Sequence, residues 1–394
     1  MGTAVIQQAV RESRDNLFSK ANVDNLSLNE KLMNNDKTSL PSSTLPEFEI
    51  EFQQFIEKIT LCDINQTEIL NYLIKILKIF EKNKLLAENC AKEYTLIPFI
   101  NTISRFGEDI NIAHCILKII NLLVEYNKAI VEESCLRGYL KYIRMYSGPD
   151  NLRELRVETA YFIGQMFTEI NSSIDTVLVK IFIASDGVTI LKNLLDIKFE
   201  QGKELIIVSI DCIYIMVSND SFSPNIICDM LVNNCIPERL VLSMHGFGCD
   251  SKFRNYLGKI QCLLLFFAER ASLIPKIRLI SKLIFEMHEV LLDKLTSTEI
   301  LHFTSFIKVL SNYEFLHNAL ENIGIINCCL NIMIRAKKQE EQSEKIVSEI
   351  VGTLINICNS SNARCEQTCL NKIMCEIINY VNNVPSSNKV SLIR

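Results

Sequence analysis

Glu133-Ser134-Cys135-Leu136-Arg137-Gly138, running into Tyr139-Leu140, is the stretch on which the fold turns. It reads as the end of one helix, a tight turn, and the apolar start of another. The same phrase returns along the chain. It appears as Glu88-Asn89-Cys90 leading to Leu96-Ile97-Pro98, and as Ala184-Ser185-Asp186-Gly187 leading to Val188-Thr189-Ile190-Leu191. Further copies are Val232-Asn233-Asn234-Cys235-Ile236-Pro237, Leu320-Glu321-Asn322-Ile323-Gly324-Ile325-Ile326, and Cys369-Leu370-Asn371-Lys372-Ile373-Met374. Copies recur about every 45 to 49 residues, with one interval near twice that, which is the period of armadillo and HEAT units. A unit of this size cannot bury its apolar face alone, so neighbours must stack. The expectation is an all-α, armadillo/HEAT-like, right-handed superhelical solenoid of about seven helical repeats, its third helices lining a groove. A compact helical bundle without repeats is the alternative.

Apolar spacing between the copies agrees with helices. Ile69, Leu73, Leu77 and Phe80 recur at helical intervals, as do Ile112, Cys115, Ile116, Ile119, Leu122 and Leu123. Polar breaks such as Asn65-Gln66-Thr67 and Asn359-Ser360-Ser361-Asn362 supply the caps. Only 12 glycines and 8 prolines occur in 394 residues, which disfavours a turn-rich β-sandwich. Residues 1–47 are rich in Asn, Ser, Asp and Lys and show no sustained apolar face, so they read as a disordered leader. The helical repeat region is expected over 48–384, and a flexible tail over 385–394.

Composition also narrows the function. The 46 acidic residues outnumber the 41 basic ones, so no global field draws in nucleic acid phosphates. The longest uncharged apolar run, Cys262 to Ala268, is far shorter than the roughly 20 residues a bilayer requires. A soluble chain with no membrane insertion and no nucleic acid partner is the expectation. Fifteen cysteines, an odd number, with no export signal at Met1–Gln8, fit reduced thiols in the cytoplasm.

Catalytic constellations are missing from the sequence. Gly246-Phe247-Gly248 is a lone GxG with no third glycine and no following Lys-Ser/Thr. No HRD-type loop, DFG or strand lysine marks a kinase, and no GxSxG marks a hydrolase. The five histidines, His114, His245, His288, His302 and His317, stand apart in sequence and read as structural or surface residues. Cys358, Cys365, Cys369 and Cys375 form the densest thiol cluster, but without a CxxC pair or a nearby histidine they read as buried small hydrophobes. No cofactor, metal or catalytic residue is expected.

Specific residues also carry a family resemblance. Leu155-Arg156-Val157-Glu158-Thr159-Ala160-Tyr161-Phe162-Ile163-Gly164-Gln165-Met166, followed by Lys180-Ile181-Phe182-Ile183-Ala184-Ser185-Asp186-Gly187, resembles the armadillo-like region of one kinase family. That family comprises the fungal septation-initiation and mitotic-exit kinases and plant mitogen-activated protein kinase kinase kinase epsilon. Leu354-Ile355-Asn356-Ile357-Cys358 with Arg364-Cys365-Glu366-Gln367, the helix from Glu299 to Asn312, and Lys118-Ile119-Ile120-Asn121 with Val131 to Gly138 are similar to further stretches of it. The resemblance spans about residues 85 to 380. Where many members carry Trp, this chain has Asp211-Cys212-Ile213-Tyr214, and it contains no Trp.

The resemblance implies a non-catalytic regulatory or targeting solenoid acting in cytokinesis signalling, at the spindle pole or division site. Its partners would be proteins, a small GTPase or a spindle-pole scaffold among them. The family's kinase motifs match no position here, so the chain is either a stand-alone relative or a fragment of an active Ser/Thr kinase. Armadillo proteins use a third-helix Asn to hold an extended ligand, which transfers to Asn121, Asn356 and, as a glutamine, Gln165. Val309 and Ile215 take the comparable places elsewhere, so the ladder is broken. Lys118, Arg153, Arg156, Lys203 and Lys259 are candidate basic contacts for an acidic partner.

Overall fold

The computed structural model describes residues 45–61, 64–92, 96–172, 177–218, 223–249, 255–270, 295–336 and 342–383. Most of the expected leader, residues 1–44, and the expected tail, 385–394, lie outside the described residues. The boundary drawn at residue 47 falls inside the first turn of the first described helix. Among the described residues there are twenty α-helices, one short 3₁₀ turn and no strand. Among the described residues the chain divides into two compact units near the end of one helix: those up to Ile215 form the first, and 216–218 group with the second, which takes in the helices from residue 223 onward.

The first unit holds α1 (Leu45–Thr60), α2 (Gln66–Lys82), α3 (Lys84–Lys92), α4 (Leu96–Phe106), α5 (Ile110–Tyr126) and α6 (Ala129–Leu136). It continues with α7 (Leu140–Ser147), α8 (Arg153–Ser172), α9 (Val177–Ala184), α10 (Gly187–Leu195) and most of α11 (Phe199–Ser218). Three helices form a module: α3–α4–α5, α6–α7–α8 and α9–α10–α11, with α1–α2 as the last two of a preceding one. Like packs on like. First helix α6 lies against first helix α9, second helix α7 against α10, and third helices stack as α2–α5–α8. That is the stacking that makes a solenoid.

Helix α5 shows why these residues fold so. Asp109 caps it, its carboxylate accepting from the Asn111 and Ile112 amides at 2.9 and 3.2 Å. Ile112, Ile116, Ile119, Ile120 and Leu123 are fully buried, each side chain contributing about 1.5–3 kcal/mol. Asn127 ends the helix: its amide bonds back to the Leu123 carbonyl, and its side chain donates to the Ala91 carbonyl of α3 at 2.8 Å. The Asn127 side-chain oxygen then accepts from the Ala129 amide and opens α6.

The second unit follows the same plan. It holds α12 (Pro224–Asn233), α13 (Ile236–Cys249), α14 (Asn255–Ala268), α15 (Ser297–Ser311), α16 (His317–Asn322) and α17 (Ile325–Ala336), then α18 (Ser343–Asn359), α19 (Asn362–Leu370) and α20 (Ile373–Asn383). Triplets α12–α13–α14 and α16–α17–α18 are complete, and third helices stack as α14–α15–α18. Thr296 and Glu299 form a capping box at the start of α15. Gly246-Phe247-Gly248 lies within α13, with Phe247 fully buried, and forms no phosphate loop.

The recurring phrase is the turn between first and second helices. In four modules one residue there enters the left-handed region: Gly138 at φ 77°, Asp186 at 55°, Cys235 at 56° and Gly324 at 74°. A Cβ on Gly138 or Gly324 would meet nothing within 4 Å. Glycine is therefore used at those two turns for its backbone freedom and not for space. Asp186 takes the same conformation with its carboxylate accepting from the Thr189 hydroxyl at 2.8 Å.

One expectation is corrected. Cys365, Cys369 and Cys375 are exposed, and Cys358 is half-buried, so this cluster does not consist of buried small hydrophobes. The thiols sit on or beside α19 and α20, whose outer face carries little cover: Leu370 is 88 % exposed. No single described helix is long and apolar enough to cross a membrane. The one helix pair that is apolar enough in sum, Glu314–Asn322 with Ile325–Ala336, is bent by 74°.

Candidate functional site

Third helices place the candidate residues, and in the first unit they turn them inward. Asn121 on α5 is 0 % exposed. Its amide donates to the Glu158 carbonyl at 3.0 Å and to the Glu158 carboxylate at 2.7 Å, linking α5 to α8. Glu158 is itself 1 % exposed. A charge-assisted bond of this kind is what makes a buried carboxylate tolerable. Tyr139, fully buried beside Phe162 at a ring distance of 5.0 Å, belongs to the same interior. Burial holds its phenol well above the ordinary range, and the Glu158 charge adds to that.

The remaining first-unit candidates are mostly engaged as well. Lys118 and Gln165 are buried. Arg156 donates to the Asn193 carbonyl at 2.6 Å and the Asp196 carbonyl at 3.4 Å, satisfying the C-terminal end of α10. Burial lowers its pKa, the Asp196 charge opposing. Arg153 on α8 pairs with the buried carboxylate of Glu204 on α11. Lys203, next in sequence to Glu204, is half-buried.

In the second unit the pattern opens. Asn356 on α18 is half-buried and donates to the Ser311 hydroxyl at 2.9 Å and to the Asn312 side-chain oxygen at 2.7 Å, at the end of α15. Lys259 on α14 holds its ammonium 4.6 Å above the Tyr256 ring. Four of the eight candidates, Asn121, Arg153, Arg156 and Asn356, make hydrogen bonds to a helix or turn of a neighbouring module within their own unit.

Two polar groupings escape the sequence. His317 is buried with both ring nitrogens engaged, one at 2.7 Å from the Ser311 carbonyl and the other at 2.6 Å from the Ser360 hydroxyl. Arg364, also buried, donates to Ser360 at 2.8 Å, to the Glu321 carboxylate at 2.8 Å and to the Asn318 side chain. The network fixes α16 against α19, and the bonds that join the two span 43 to 46 positions of the chain, beyond any local motif. On α14 and α15, Cys262 Sγ lies 3.5 Å from His302 Nδ1. Burial raises the thiol pKa and lowers the imidazole pKa, with Glu299 opposing the latter. Both shifts favour the neutral forms, the reverse of what a thiolate–imidazolium nucleophile needs. Among the described residues no three His, Cys, Asp or Glu side chains converge as a metal site.

Stacked three-helix modules define an all-α helical-repeat protein. No protein-family model matches the chain. Among curated proteins, it is similar to cytokinesis protein sepH of Aspergillus terreus, 24% identical over 270 residues, which covers 67% of this chain and 19% of the relative. Similarity extends to cell division control protein 7 of Schizosaccharomyces pombe, 22% identical over 286 residues, 72% of this chain and 26% of that protein. It reaches MAP3K epsilon protein kinase 2 of Arabidopsis thaliana, 22% identical over 240 residues, 60% of this chain and 16% of that one. The resemblance read from the sequence is thus borne out. The chain spans about a fifth of the length of the first of these relatives.

Proposed function

We propose that the chain is a non-catalytic protein-interaction module, the regulatory or targeting part of a septation-initiation or mitotic-exit kinase system, acting in cytokinesis. One observation carries the reading: two thirds of the chain matches cytokinesis protein sepH, and the described residues form stacked helical modules of the kind that hold other macromolecules. The absence of HRD, DFG and strand-lysine motifs from the sequence supports a role without phosphoryl transfer by this chain. By resemblance, its partners are proteins, a small GTPase or a spindle-pole scaffold, and its place is the cytoplasm, the spindle pole or the division site.

The test is to follow the fluorescently tagged chain through division while purifying what binds it. Enrichment at the spindle pole or division site during mitotic exit, together with recovery of a GTPase or a pole scaffold, is the expected result. A diffuse signal throughout the cycle with only metabolic enzymes recovered would sink it. A second reading is favoured by the fifth-length match to sepH: the chain is a fragment of an active Ser/Thr kinase whose catalytic domain lies elsewhere. Genomic sequence upstream of the Met1 codon separates the two, since an in-frame HRD and DFG would establish the kinase.

A further inference from the structure

Second helices bury one stripe, at the second, fifth and ninth residues after the turn that precedes them. In α7 these are Leu140, Ile143 and Ser147, and in α17 they are Ile326, Cys329 and Met333, none more than 5 % exposed. The corresponding positions of α10 and α13 are buried as well. In α20 the same places after Lys372 hold Met374, Ile377 and Val381, and all three are only half-buried. Their chemistry is that of a covered face. Helix α7 packs on its own third helix α8 and on α10 of the next module, and α17 packs on α18 and α20. Helix α20 packs on α17 behind it and on α19 of its own module, and no described helix follows it.

The other modules show where a third helix starts. Helix α5 begins four positions after α4 ends, α11 four after α10, and α8 six after α7. The same interval past Asn383, the end of α20, falls at 387–389. The sequence there carries the matching punctuation in Val384-Pro385-Ser386-Ser387-Asn388. Proline has no amide with which to continue α20, and serine and asparagine are the types that cap a helix start. Lys389-Val390-Ser391-Leu392-Ile393-Arg394 follows, and Val390 and Ile393, three apart, fall on one face of a helix. We propose that residues 387–394 supply the opening turns of this module's third helix and lay Val390 and Ile393 on Ile377 and Val381 of α20. The occupant is the chain itself, because a connection of a few residues keeps the segment beside the face at a local concentration that a separate molecule must outcompete. The stretch expected from sequence to be a flexible tail, 385–394, then belongs to the repeat region.

The experiment uses the full chain and reads hydrogen exchange by mass spectrometry over α20. Val390→Asp/Ile393→Asp should speed exchange there about tenfold, by opening α20 locally. Ser391→Asp, which falls on the other side of the same helical turn, should leave it unchanged. Exchange in α5 is the reference for global unfolding and should stay as it was in both variants. A photoreactive p-benzoylphenylalanine in place of Val390 should cross-link, within one chain, to peptides that hold Ile377 or Val381.

Identical exchange of α20 in the unmodified and Val390→Asp/Ile393→Asp chains would overturn the proposal, as would an equal effect of Ser391→Asp or cross-links that land off α20. Protection of α20 that fades on dilution, with cross-links between chains, would assign the face to a second copy and overturn it too. So would fast exchange in the pure chain that slows only in material purified with its binding partners, which would give the face to a partner.

Discussion

Third helices meet in both units, but the meeting is differently built. Between α5 and α8 the polar link is interior: Asn121 donates twice to Glu158, and neither side chain reaches solvent. Between α15 and α18 the polar links lie nearer the surface. Lys308 pairs with Glu349 at 3.2 Å, both partly exposed, and half-buried Asn356 bonds to Ser311 and Asn312. The architecture is one and the energetics are two. An interior carboxylate has lost its water and depends on its partner, whereas a surface pair can exchange its partner for water at little cost. The first unit should therefore be rigid at this joint and intolerant of change, and the second adaptable.

Replacing Asn121 by Ala is the strongest way to break that comparison. It removes two bonds to Glu158, one of them to its buried carboxylate, that tie α5 to α8, and about 2 kcal/mol of stability should be lost. Urea unfolding measures the loss, and hydrogen exchange read by mass spectrometry should place the loosened amides in α5 and α8. An unchanged midpoint would mean that the Asn121–Glu158 bonds add little to this joint, and the contrast between the joints would fall. Next in size is a change that the two units should feel alike. Gly138→Ala and Gly324→Ala each force a Cβ into the left-handed region, costing about 1–2 kcal/mol apiece. Because a Cβ meets no atom at either site, the two losses should agree. A large difference would show that the turns are not equivalent.

Much of this was legible in the sequence, because it depends on local rules. The helical period, the caps and the recurring turn phrase give the modules, and the phrase falls where the chain takes φ 77° at Gly138 and 74° at Gly324. Side-chain destinations were not legible. Asn121 lies on a third helix, as a ligand-gripping Asn would, but its partner is 37 residues away, and nothing near residue 121 announces Glu158. One signal was available: Glu158 and Glu204 are carboxylates inside long apolar helices, where an acid needs a buried partner. Cys365 and Cys369 misled for the opposite reason. Cysteine is commonly buried, but exposure depends on what packs over α19, and that is a property of the modules around it.

The smallest effects sharpen the surface side of the comparison. Asn356→Ala removes two neutral bonds, one to exposed Asn312 that water can replace and one to buried Ser311, so about 1 kcal/mol should be lost. Lys308→Ala should cost still less, about 0.5 kcal/mol, since exposed ion pairs gain little over hydration. The Lys308 case has an additional handle. Its methylene stem lies over Gly352, where a Cβ would come within 2.9 Å of Lys308 Cε. Gly352→Ala must therefore displace the lysine from Glu349, and with the ion pair already broken, Lys308→Ala should cost almost nothing in that background. Salt separates the two contributions: the effect of Lys308→Ala should shrink as ionic strength rises if it is Coulombic, and persist if the stem's packing carries it. A salt-independent loss of 2 kcal/mol or more, outside the roughly 0–1 kcal/mol of exposed pairs, would mean that the α15–α18 joint is as rigidly built as α5–α8.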